Sequence, residues 1–386
     1  MIAGVGMTPF SRPATGARYE DMAFVAITDA LADAELSFTD VGQIYAGWVY
    51  GDSTSGQRAI YPLGMTGVPI VNVNNNCASG SSALFLARQA VASGAVDCAL
   101  AVGFEQMSPG ALELVFRDRT SPLDKHLDVV SRVLGHDEGP MTPRLFAAAG
   151  KELAKQTGIT ADDFAKIAVK ARRHAEHNDR AVLRTPLTVE EVAQTKPIVE
   201  FLTKAHCCPP TSGAAAAIIC SPNFAKAHGL GGRVRILAQS MTTDTPDSFD
   251  TAQGVVGVGI TRSAAQAVYE AACLGPEDVD AVELHDCFTV NEALSYIGLG
   301  LTEPENLVRF ISDARNSYGG DVVVNPSGGL LAKGHPLGAT GLAQIFELVT
   351  QLRGASGSRQ VEGARTALQH NIGVGGAAVV TILQAA

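Results

Sequence analysis

The chain has 386 residues, of which 46% are hydrophobic and 18% charged, so it can bury a sizeable core and is not a disordered protein. Its formal charge of −10 argues against nucleic acid or an anionic membrane surface as a general partner. It has no apolar run of roughly 18 residues that could span a bilayer, and its first residues lack a signal-peptide pattern, so the sequence predicts a cytoplasmic protein.

The predicted elements of the first hundred residues alternate between strands and helices. A strand at 2–10 precedes an amphipathic helix at 19–36, and apolar strands at 68–76 and 96–107 flank a helix at 81–92. A glycine- and serine-rich loop occupies residues 51–67. This alternation is typical of a mostly parallel sheet with helices on both faces.

From residue 108 to 205 the sequence changes to charged helical segments with few strand signals, which we interpret as an insertion over the core. Its basic residues are Lys166, Lys170, Arg172, Arg173, Arg180 and Arg184. They form either a solvated helix face, the commoner outcome, or a local patch for a polyanionic ligand.

The α/β pattern returns in the last part of the chain. Predicted strands lie at 211–220, 233–241, 279–286, 321–326, 366–371 and 377–383, and predicted helices at 263–272, 289–299 and 338–353. The segments 71–94 and 322–354 both read strand, asparagine, glycine-rich loop and apolar helix. This echo predicts a duplicated core.

The seven cysteines include no C-x-x-C pair, which predicts a reducing compartment and neither a disulfide framework nor a zinc site. Adjacent side chains such as those of His206, Cys207 and Cys208 cannot all converge on one ion, so no metal is expected there. Cys98 and Cys220 lie within apolar strands and are predicted to be buried structural thiols.

Cys77 has a different setting, between three asparagines and the start of a predicted helix. The positive end of that helix should lower the pKa of its thiol, and unpaired N–H groups of the first turn could hold an oxyanion. We therefore interpret Cys77 as a nucleophile, although a free cysteine is more often a buried filler.

Histidines in two other loops could move the protons that such a nucleophile needs. His335 lies in the glycine-rich loop of the second half that corresponds to the Cys77 loop. A histidine in a glycine-rich loop between a strand and a helix is more often a site residue than a structural one. His285 and Cys287 follow an apolar strand and, two residues apart, should face one pocket. The loop 370–376 could form an anion nest, which alone is weak support for a site.

Taken together, these loops resemble those of the thiolase superfamily, and within it the thiolase domain of the sterol carrier protein X type. The resemblance extends from Gly4 to the C-terminus and is carried by the motifs GDSTSGQRAIYPLGMTG, VNVNNNCASGSSALF, CCPPTSGAAAAI, ELHDCF, VNPSGGLLAKGHPLGATGLAQ and ALQHNIGVGGAAVVT.

The resemblance implies an α/β fold with duplicated halves in a five-layered α-β-α-β-α core. The first half would comprise residues 1–107, completed by 206–232. Residues 108–205 would form the inserted loop domain, and 233–386 the second half. A homodimer or homotetramer is expected.

The resemblance also implies site roles. Cys77 matches the acyl-accepting cysteine and His335 the histidine of the G-H-P motif. Most thiolases have N-E-A-F at 285–288 and a cysteine at the position of Asn371, whereas the sterol-carrier branch departs from this pattern as this chain does. The acid/base role then falls to Cys287, with His285 beside it.

The remaining expected roles concern the backbone and the substrate loops. The N–H groups of Cys77 and Gly373 are expected to hold the oxyanion, and Asn371 and Gly334 to belong to the substrate loops.

The implied activity is cleavage of a 3-oxoacyl-CoA by coenzyme A through an acyl-cysteine, releasing acetyl-CoA or propanoyl-CoA. Substrates with 2-methyl branches or sterol side chains are candidates, and no permanently bound cofactor is expected. Two alternatives stay open. One is a retro-aldolase of the same fold acting with a partner subunit, and the other is a non-catalytic protein that binds acyl-CoA or lipid.

Overall fold

The computed structural model describes residues 1–13, 17–108, 118–136 and 139–386, so residues 109–117 and 137–138 of the predicted insertion lie outside the described part. The strands are β1 (Ile2–Met7), β2 (Gln43–Gly47), β3 (Ile70–Val73), β4 (Cys98–Glu105), β5 (Pro197–Val199), β6 (Leu202–Thr203), β7 (Gly213–Cys220), β8 (Val234–Thr242), β9 (Ala281–Glu283), β10 (Val323–Val324), β11 (Thr366–Gly373) and β12 (Ala377–Ala385). The helices are α1 (Tyr19–Asp33), α2 (Ser55–Ile60), α3 (Ser79–Ala92), α4 (Asp124–Leu134), α5 (Met141–Thr157), α6 (Ala161–Ala175), α7 (Val189–Gln194), α8 (Pro222–Ala227), α9 (Ala252–Val255), α10 (Val258–Ala272), α11 (Thr289–Gly298), α12 (Leu307–Ser312), α13 (Gly329–Ala332) and α14 (Thr340–Leu352).

Ten strands form two groups of five with the same order. The first group runs β3-β2-β4-β7-β1 and the second β10-β9-β11-β12-β8. In each group the first three strands pair in parallel and the remaining pairs are antiparallel. The groups meet through one pair, Ile2 and Val234. The predicted duplication of an α/β half is confirmed.

Helices α3 and α14 lie between the two groups of strands and contact each other there. Helix α14 is buried at eleven of its thirteen positions, which explains why its sequence is apolar on nearly every face. Helix α1 covers β1 and β7 on one outer side, and α10 covers β8 and β12 on the other. The order of layers is therefore helix, sheet, helix, sheet, helix.

Between residues 108 and 205 the structure has helices α4 to α7 and the small pair β5 and β6. Phe146 and Phe164 of this region join a hydrophobic cluster with Leu294 and Phe310 of the second half. Strand β7 then returns to the first sheet. The domain boundaries drawn from the sequence stay a prediction, and this distribution of elements is compatible with them.

The sequence pattern misses two elements of the first half. Strand β2 has five residues and lies just before the predicted glycine- and serine-rich loop. Helix α2 falls inside that predicted loop. In the second half, β9 and β10 are shorter than predicted because the chain leaves the sheet early to form loops. Among the helices that the structure describes, none has both the length and the apolar character needed to cross a bilayer.

Three glycines let the two halves approach at their loops. A Cβ atom at Gly80 of α3 or at Gly103 of β4 would clash with the carbonyl oxygen of Gly338. A Cβ at Gly338 would in turn clash with the carbonyl oxygen of Phe104. We call this the glycine contact, and it brings the loop before α14 against the start of α3.

Candidate active site

Four loops, one of them from the first half, border a cavity of about 1190 Å³. Cys77 follows β3, and His335 follows β10, the equivalent strand of the second half. The other two loops follow β9 and β11. Residues from all four line the cavity, and they include Cys77, His285, Cys287, His335 and Gly373. The predicted site residues are thus brought together by the duplicated topology.

The Cys77 loop is held by hydrogen bonds of Asn76. This residue has a φ of 51°, a left-handed conformation that asparagine tolerates better than most residues. Its Nδ2 donates to the carbonyl oxygen of Val374 at 2.9 Å, and Ser79 Oγ donates to its carbonyl oxygen at 2.6 Å. The Cys77 thiol donates to Asn76 Oδ1 at 3.7 Å. Asn76 therefore fixes the sulfur against the loop 373–376.

The thiol of Cys77 is not ionised by the helix that follows it. Burial raises the pKa of Cys77 to about 12, and the carboxylate of Glu105 acts in the same direction. The prediction of a lowered pKa is wrong because burial of the thiol disfavours its charged form. The resting group is a neutral thiol that needs a base.

His335 presents that base in a defined tautomer. Its Nδ1 lies 2.7 Å from Thr340 Oγ1, and Thr340 Oγ1 donates its own hydrogen to the carbonyl oxygen of Pro336 at 2.9 Å. Thr340 must therefore accept a hydrogen bond from Nδ1–H of His335, which leaves the lone pair on Nε2. That Nε2 is buried and has no hydrogen-bond partner among the described residues.

The imidazole of His335 is uncharged in the resting site, so its Nε2 lone pair is available to accept a proton. Burial lowers the pKa of His335 to about 3, so the imidazole is neutral at physiological pH. Ligand atoms of Cys77, His285 and His335 all lie within 4.8 Å of one another. A small movement would bring the thiol within hydrogen-bond distance of the imidazole.

His285 and Cys287 face the same cavity, as the sequence predicts. The ring of His285 lies edge-on to that of His335, with centroids 5.0 Å apart. Burial, with smaller contributions from His335 and His370, holds the pKa of His285 well below its ordinary value. Burial also raises the pKa of Cys287 well above its ordinary value, and the nearby sulfur of Cys208 adds to this. Both groups are neutral.

The segment 207–210 contacts the loops of Cys287 and His335. The backbone N–H of Cys208 donates to the carbonyl oxygen of Cys287 at 2.9 Å, and Pro210 pairs with His335 as an isolated bridge. Cys207 and Cys208 also line the cavity. Their place at the cavity was not predicted, and their adjacency to the apolar strand β7 was the available signal.

Gly373 lies against the Cys77 loop, where a Cβ atom would clash with the carbonyl oxygen of Asn75. Only glycine allows this approach of the β11 end to the nucleophile loop. The role of the Cys77 and Gly373 N–H groups as oxyanion donors stays a prediction.

Two residues expected in the substrate loops do not border the cavity. Asn371 is fully buried and lies behind His285, with its Nδ2 2.8 Å from His285 Nδ1. Gly334 has a φ of 119°, and its Cβ position is occupied by Thr211. Gly334 therefore shapes the backbone before His335, and neither residue is placed to touch a substrate directly.

The basic run of the inserted segment does not face the cavity as a group. Of its six members, only Arg172 lines the cavity. Lys170 is buried in an ion pair with Glu292, and Arg180 stacks over the ring of Phe346 at 4.8 Å. Cys98 and Cys220, predicted to be structural, are buried opposite each other in β4 and β7, which confirms that interpretation.

Glu105 is the main residue that the sequence analysis missed. Its carboxylate is buried and accepts hydrogen bonds from the N–H groups of Val49 (3.1 Å), Tyr50 (2.9 Å) and Gly338 (3.0 Å). Burial raises the pKa of Glu105 to about 7. The carboxylate thus joins the end of β4 to the loop of His335. A lone acid at the end of an apolar strand was the signal for it.

The three ligand atoms of Cys77, His285 and His335 are also close enough together to bind a metal ion. Thiolate and imidazole are preferred ligands of Zn²⁺. The absence of a metal cofactor stays a prediction.

The raised pKa of Cys77 can be tested by alkylation. We expect the rate of iodoacetamide modification of Cys77 to rise about tenfold per pH unit between pH 6 and pH 9, because the thiolate fraction grows by that factor below the pKa. The rate should be followed by mass spectrometry of the peptide. A plateau across neutral pH would instead reveal a thiolate paired with an imidazolium.

Comparison with known proteins agrees with this geometry. The family model described as "Thiolase, N-terminal domain" matches residues 1–182, and the model "Thiolase C-terminal domain-like" matches residues 244–385. Sterol carrier protein 2 of Gallus gallus is 50% identical over 386 residues, a match that covers 99% of this chain and 71% of the relative.

Two solved structures share the fold. The Ltp2-ChsH2(DUF35) aldolase is 24% identical with a TM-score of 0.82, and the match covers 100% of this chain and 97% of that chain. Human mitochondrial 3-ketoacyl-CoA thiolase in complex with CoA is 19% identical with a TM-score of 0.75, with the same coverage. The two family models together match most of the chain, and the relative at half identity covers nearly all of it; the chain therefore belongs to the thiolase family.

Proposed function

We propose that the protein is an acyltransferase that cleaves 3-oxoacyl-CoA with coenzyme A through an acyl-enzyme on Cys77. The observation that carries this proposal is the convergence of Cys77, His285 and His335 within 4.8 Å at a cavity that Cys287 also lines. A nucleophile, a proton acceptor and two further proton-bearing groups are the set that thiolysis of a carbon–carbon bond requires.

The first half-reaction breaks the carbon–carbon bond. Cys77 Sγ attacks the 3-keto carbon while its proton passes to Nε2 of His335. The N–H groups of Cys77 and Gly373 stabilise the oxyanion. The oxyanion then re-forms the carbonyl, the bond between C2 and C3 breaks, and C2 leaves as an ester enolate. His285 donates a hydrogen bond to the enolate oxygen, and the Cys287 thiol protonates C2, so that acetyl-CoA or propanoyl-CoA departs.

The second half-reaction transfers the acyl group. The His335 imidazolium first returns a proton to the Cys287 thiolate, which restores two neutral groups. His335 then takes the thiol proton of the incoming coenzyme A, whose sulfur attacks the acyl carbon. The departing Cys77 sulfur recovers the proton from His335. Cys287 acts as an acid only in the first half-reaction, and ping-pong kinetics follow.

The lining of the cavity supports coenzyme A esters with a bulky acyl group as substrates. Its volume of about 1190 Å³ exceeds the range of roughly 300–1,000 Å³ that is usual for small ligands. Cationic side chains suited to phosphate groups line part of it, namely Arg12, Arg119, Arg172 and Lys204. Substrates with 2-methyl branches or sterol side chains are consistent with this space.

The aldolase alternative has one supporting observation, which is the fold shared with the Ltp2-ChsH2(DUF35) aldolase. Aldol cleavage needs no acyl-accepting thiol, whereas Cys77 and Cys287 both border the cavity here. The paired thiols favour thiolysis. A non-catalytic binding protein does not require a proton acceptor beside a thiol. The Nε2 atom of His335, which is buried without a hydrogen-bond partner among the described residues, therefore favours an enzyme.

The experiment that tests the proposal is mass spectrometry of the intact protein after mixing with 3-oxoacyl-CoA esters of different chain length and branching. We expect a mass increase equal to the acyl group, located on the peptide of Cys77 and removed by added coenzyme A. Cleavage of a 3-hydroxyacyl-CoA without any adduct would favour the aldolase. Binding without turnover of either ester would favour the non-catalytic alternative.

We also propose a homodimer that pairs through the edge strand β3. This strand ends the first group, and near it lie exposed apolar side chains, with Tyr61 49%, Met65 77% and Val71 37% exposed. Light scattering is expected to give twice the chain mass of 40.1 kDa, and Val71→Lys to lower the measured mass; a wild-type monomer would contradict the proposal.

A cytoplasmic location is supported by the seven free cysteines.

A further inference from the structure

The imidazole of His285 takes part in a hydrogen bond that the mechanism above does not explain. Its Nδ1 lies 2.8 Å from Nδ2 of Asn371. An amide nitrogen only donates, so Nδ1 must carry a lone pair if the Asn371 amide is held in this orientation. The surrounding network determines that orientation.

The network begins at a backbone carbonyl, which can only accept. Gln344 Nε2 donates to the carbonyl oxygen of His370 at 3.0 Å, and this fixes the Gln344 amide. Its Oε1 must then accept from Gln369 Nε2 at 2.9 Å. The second hydrogen of Gln369 Nε2 is donated to Ser81 Oγ at 2.7 Å. Thr381 Oγ1 donates to Gln369 Oε1 at 3.0 Å, which agrees with the same orientation.

The same assignment of donors and acceptors extends through Ser81 and Asn371 to His285. Ser81 Oγ, which accepts from Gln369, donates its single hydrogen to Asn371 Oδ1 at 2.9 Å. With its oxygen used by Ser81, Asn371 turns its nitrogen toward His285 and donates to Nδ1. The ring proton of neutral His285 must therefore be on Nε2, the nitrogen not engaged by Asn371.

Burial stabilises this assignment of donors and acceptors. Ser81, Gln344, Gln369 and Asn371 are all fully buried, so water cannot replace a member of the network. Reversal of the Gln344 or the Gln369 amide would place two acceptor oxygens in contact, and reversal of Asn371 would take away the acceptor of the Ser81 hydroxyl hydrogen. Burial also keeps the pKa of His285 well below its ordinary value, so a single proton is present.

We propose that Ser81, Gln344, Gln369 and Asn371 form a relay that holds His285 as the Nε2–H tautomer, with Asn371 as its positioning residue. His335 is held by Thr340 in the opposite tautomer. One imidazole thus offers a lone pair to the Cys77 thiol, and the other offers a hydrogen to the enolate oxygen. This inference rests on the proposed function for its catalytic meaning, but the tautomer itself is a property of the free protein.

The tautomer can be read directly by NMR. Protein labelled with ¹⁵N-histidine should show His285 with a pyrrole-type Nε2 and a pyridine-type Nδ1 in long-range ¹H–¹⁵N spectra, assigned by loss of the signals in His285→Gln. In Asn371→Asp the carboxylate can only accept, so the proton should move to Nδ1. A wild-type His285 protonated on Nδ1, or no change in Asn371→Asp, would overturn the proposal.

Kinetics supply the second readout. We expect Asn371→Asp to lower kcat for carbon–carbon cleavage about 10²-fold, the loss typical of one missing donor, with KM changed less than about threefold. Ser81→Ala should show a mixture of tautomers and a smaller loss. Ser263→Ala, at an exposed site on α10, is the matched control for Ser81→Ala. An unchanged kcat in Asn371→Asp with a reversed tautomer would remove the positioning role.

If Asn371→Asp does not fold, Asn371→Ala provides the same test, because it removes the donor to Nδ1 without adding a charge. Mixed tautomers are then expected. Absence of thiolysis in the wild-type protein would contradict the proposed function but leave the NMR result intact. The two failures are thus distinguishable.

Discussion

A Cys77→Ala variant is expected to form no acyl-enzyme and to turn over 3-oxoacyl-CoA roughly 10⁴-fold or more slowly than the wild type, because loss of a nucleophile removes the covalent route entirely. His335 and His285 would remain in place but would have no thiol to deprotonate and no enolate to stabilise. The fold should persist, since Cys77 is half-buried at the cavity and its side chain makes one long hydrogen bond. Intact mass spectrometry and steady-state rates provide the measurements.

The matched control is Cys273→Ala, which removes an exposed thiol beyond the end of α10. It should retain wild-type rates and acylation. Circular dichroism and melting temperature should be similar for both variants. Acylation of another residue in Cys77→Ala, or turnover within a factor of about ten of the wild type, would remove Cys77 from the mechanism.

Cys287→Ala is expected to separate the two half-reactions. Loss of the acid that protonates C2 should slow carbon–carbon cleavage by about 10²–10⁴-fold, the usual contribution of a general acid. Transfer of an acyl group from Cys77 to coenzyme A uses His335 instead and should change by less than about tenfold. Cleavage is measured with a 3-oxoacyl-CoA, and transfer by exchange of labelled coenzyme A into a simple acyl-CoA.

Cys273→Ala again serves as the control for the removal of a thiol. Equal losses in cleavage and exchange would show that Cys287 acts on Cys77 or on binding, and the acid role would be withdrawn. Unchanged cleavage would move that role to another group at the cavity, and His285 would be the next candidate.

Much of the site could be predicted from the sequence because its residues lie in loops with strong local signals. Cys77 and His335 lie in glycine-rich segments between a strand and an apolar helix, and the duplicated topology brings such segments together. His285 and Cys287 directly follow the apolar strand β9. For these residues, a local pattern together with the echo between the halves was sufficient.

Other features depend on tertiary packing that a linear pattern does not contain. The pKa of Cys77 is raised by desolvation of the thiol, and this depends on how the folded chain surrounds the cavity. Asn371 is expected in a substrate loop from the family resemblance, yet the pairing of β11 between β9 and β12 places it in the interior. Strand β2 was missed because a five-residue strand with a polar first residue gives little signal.

The glycine contact implies an evolutionary constraint on the two halves. If the duplicated halves descend from one ancestral unit, a symmetric pair of such units would have offered identical loops on both sides of the contact. A nucleophile opposite a base requires the two copies to differ. Joining both copies in one chain allows each to mutate independently. Gly80, Gly103 and Gly338 limit this freedom, because a larger side chain at any of them would clash with the backbone at the shared boundary. The two halves thus differ in the chemistry of their loops while their strands keep the same order.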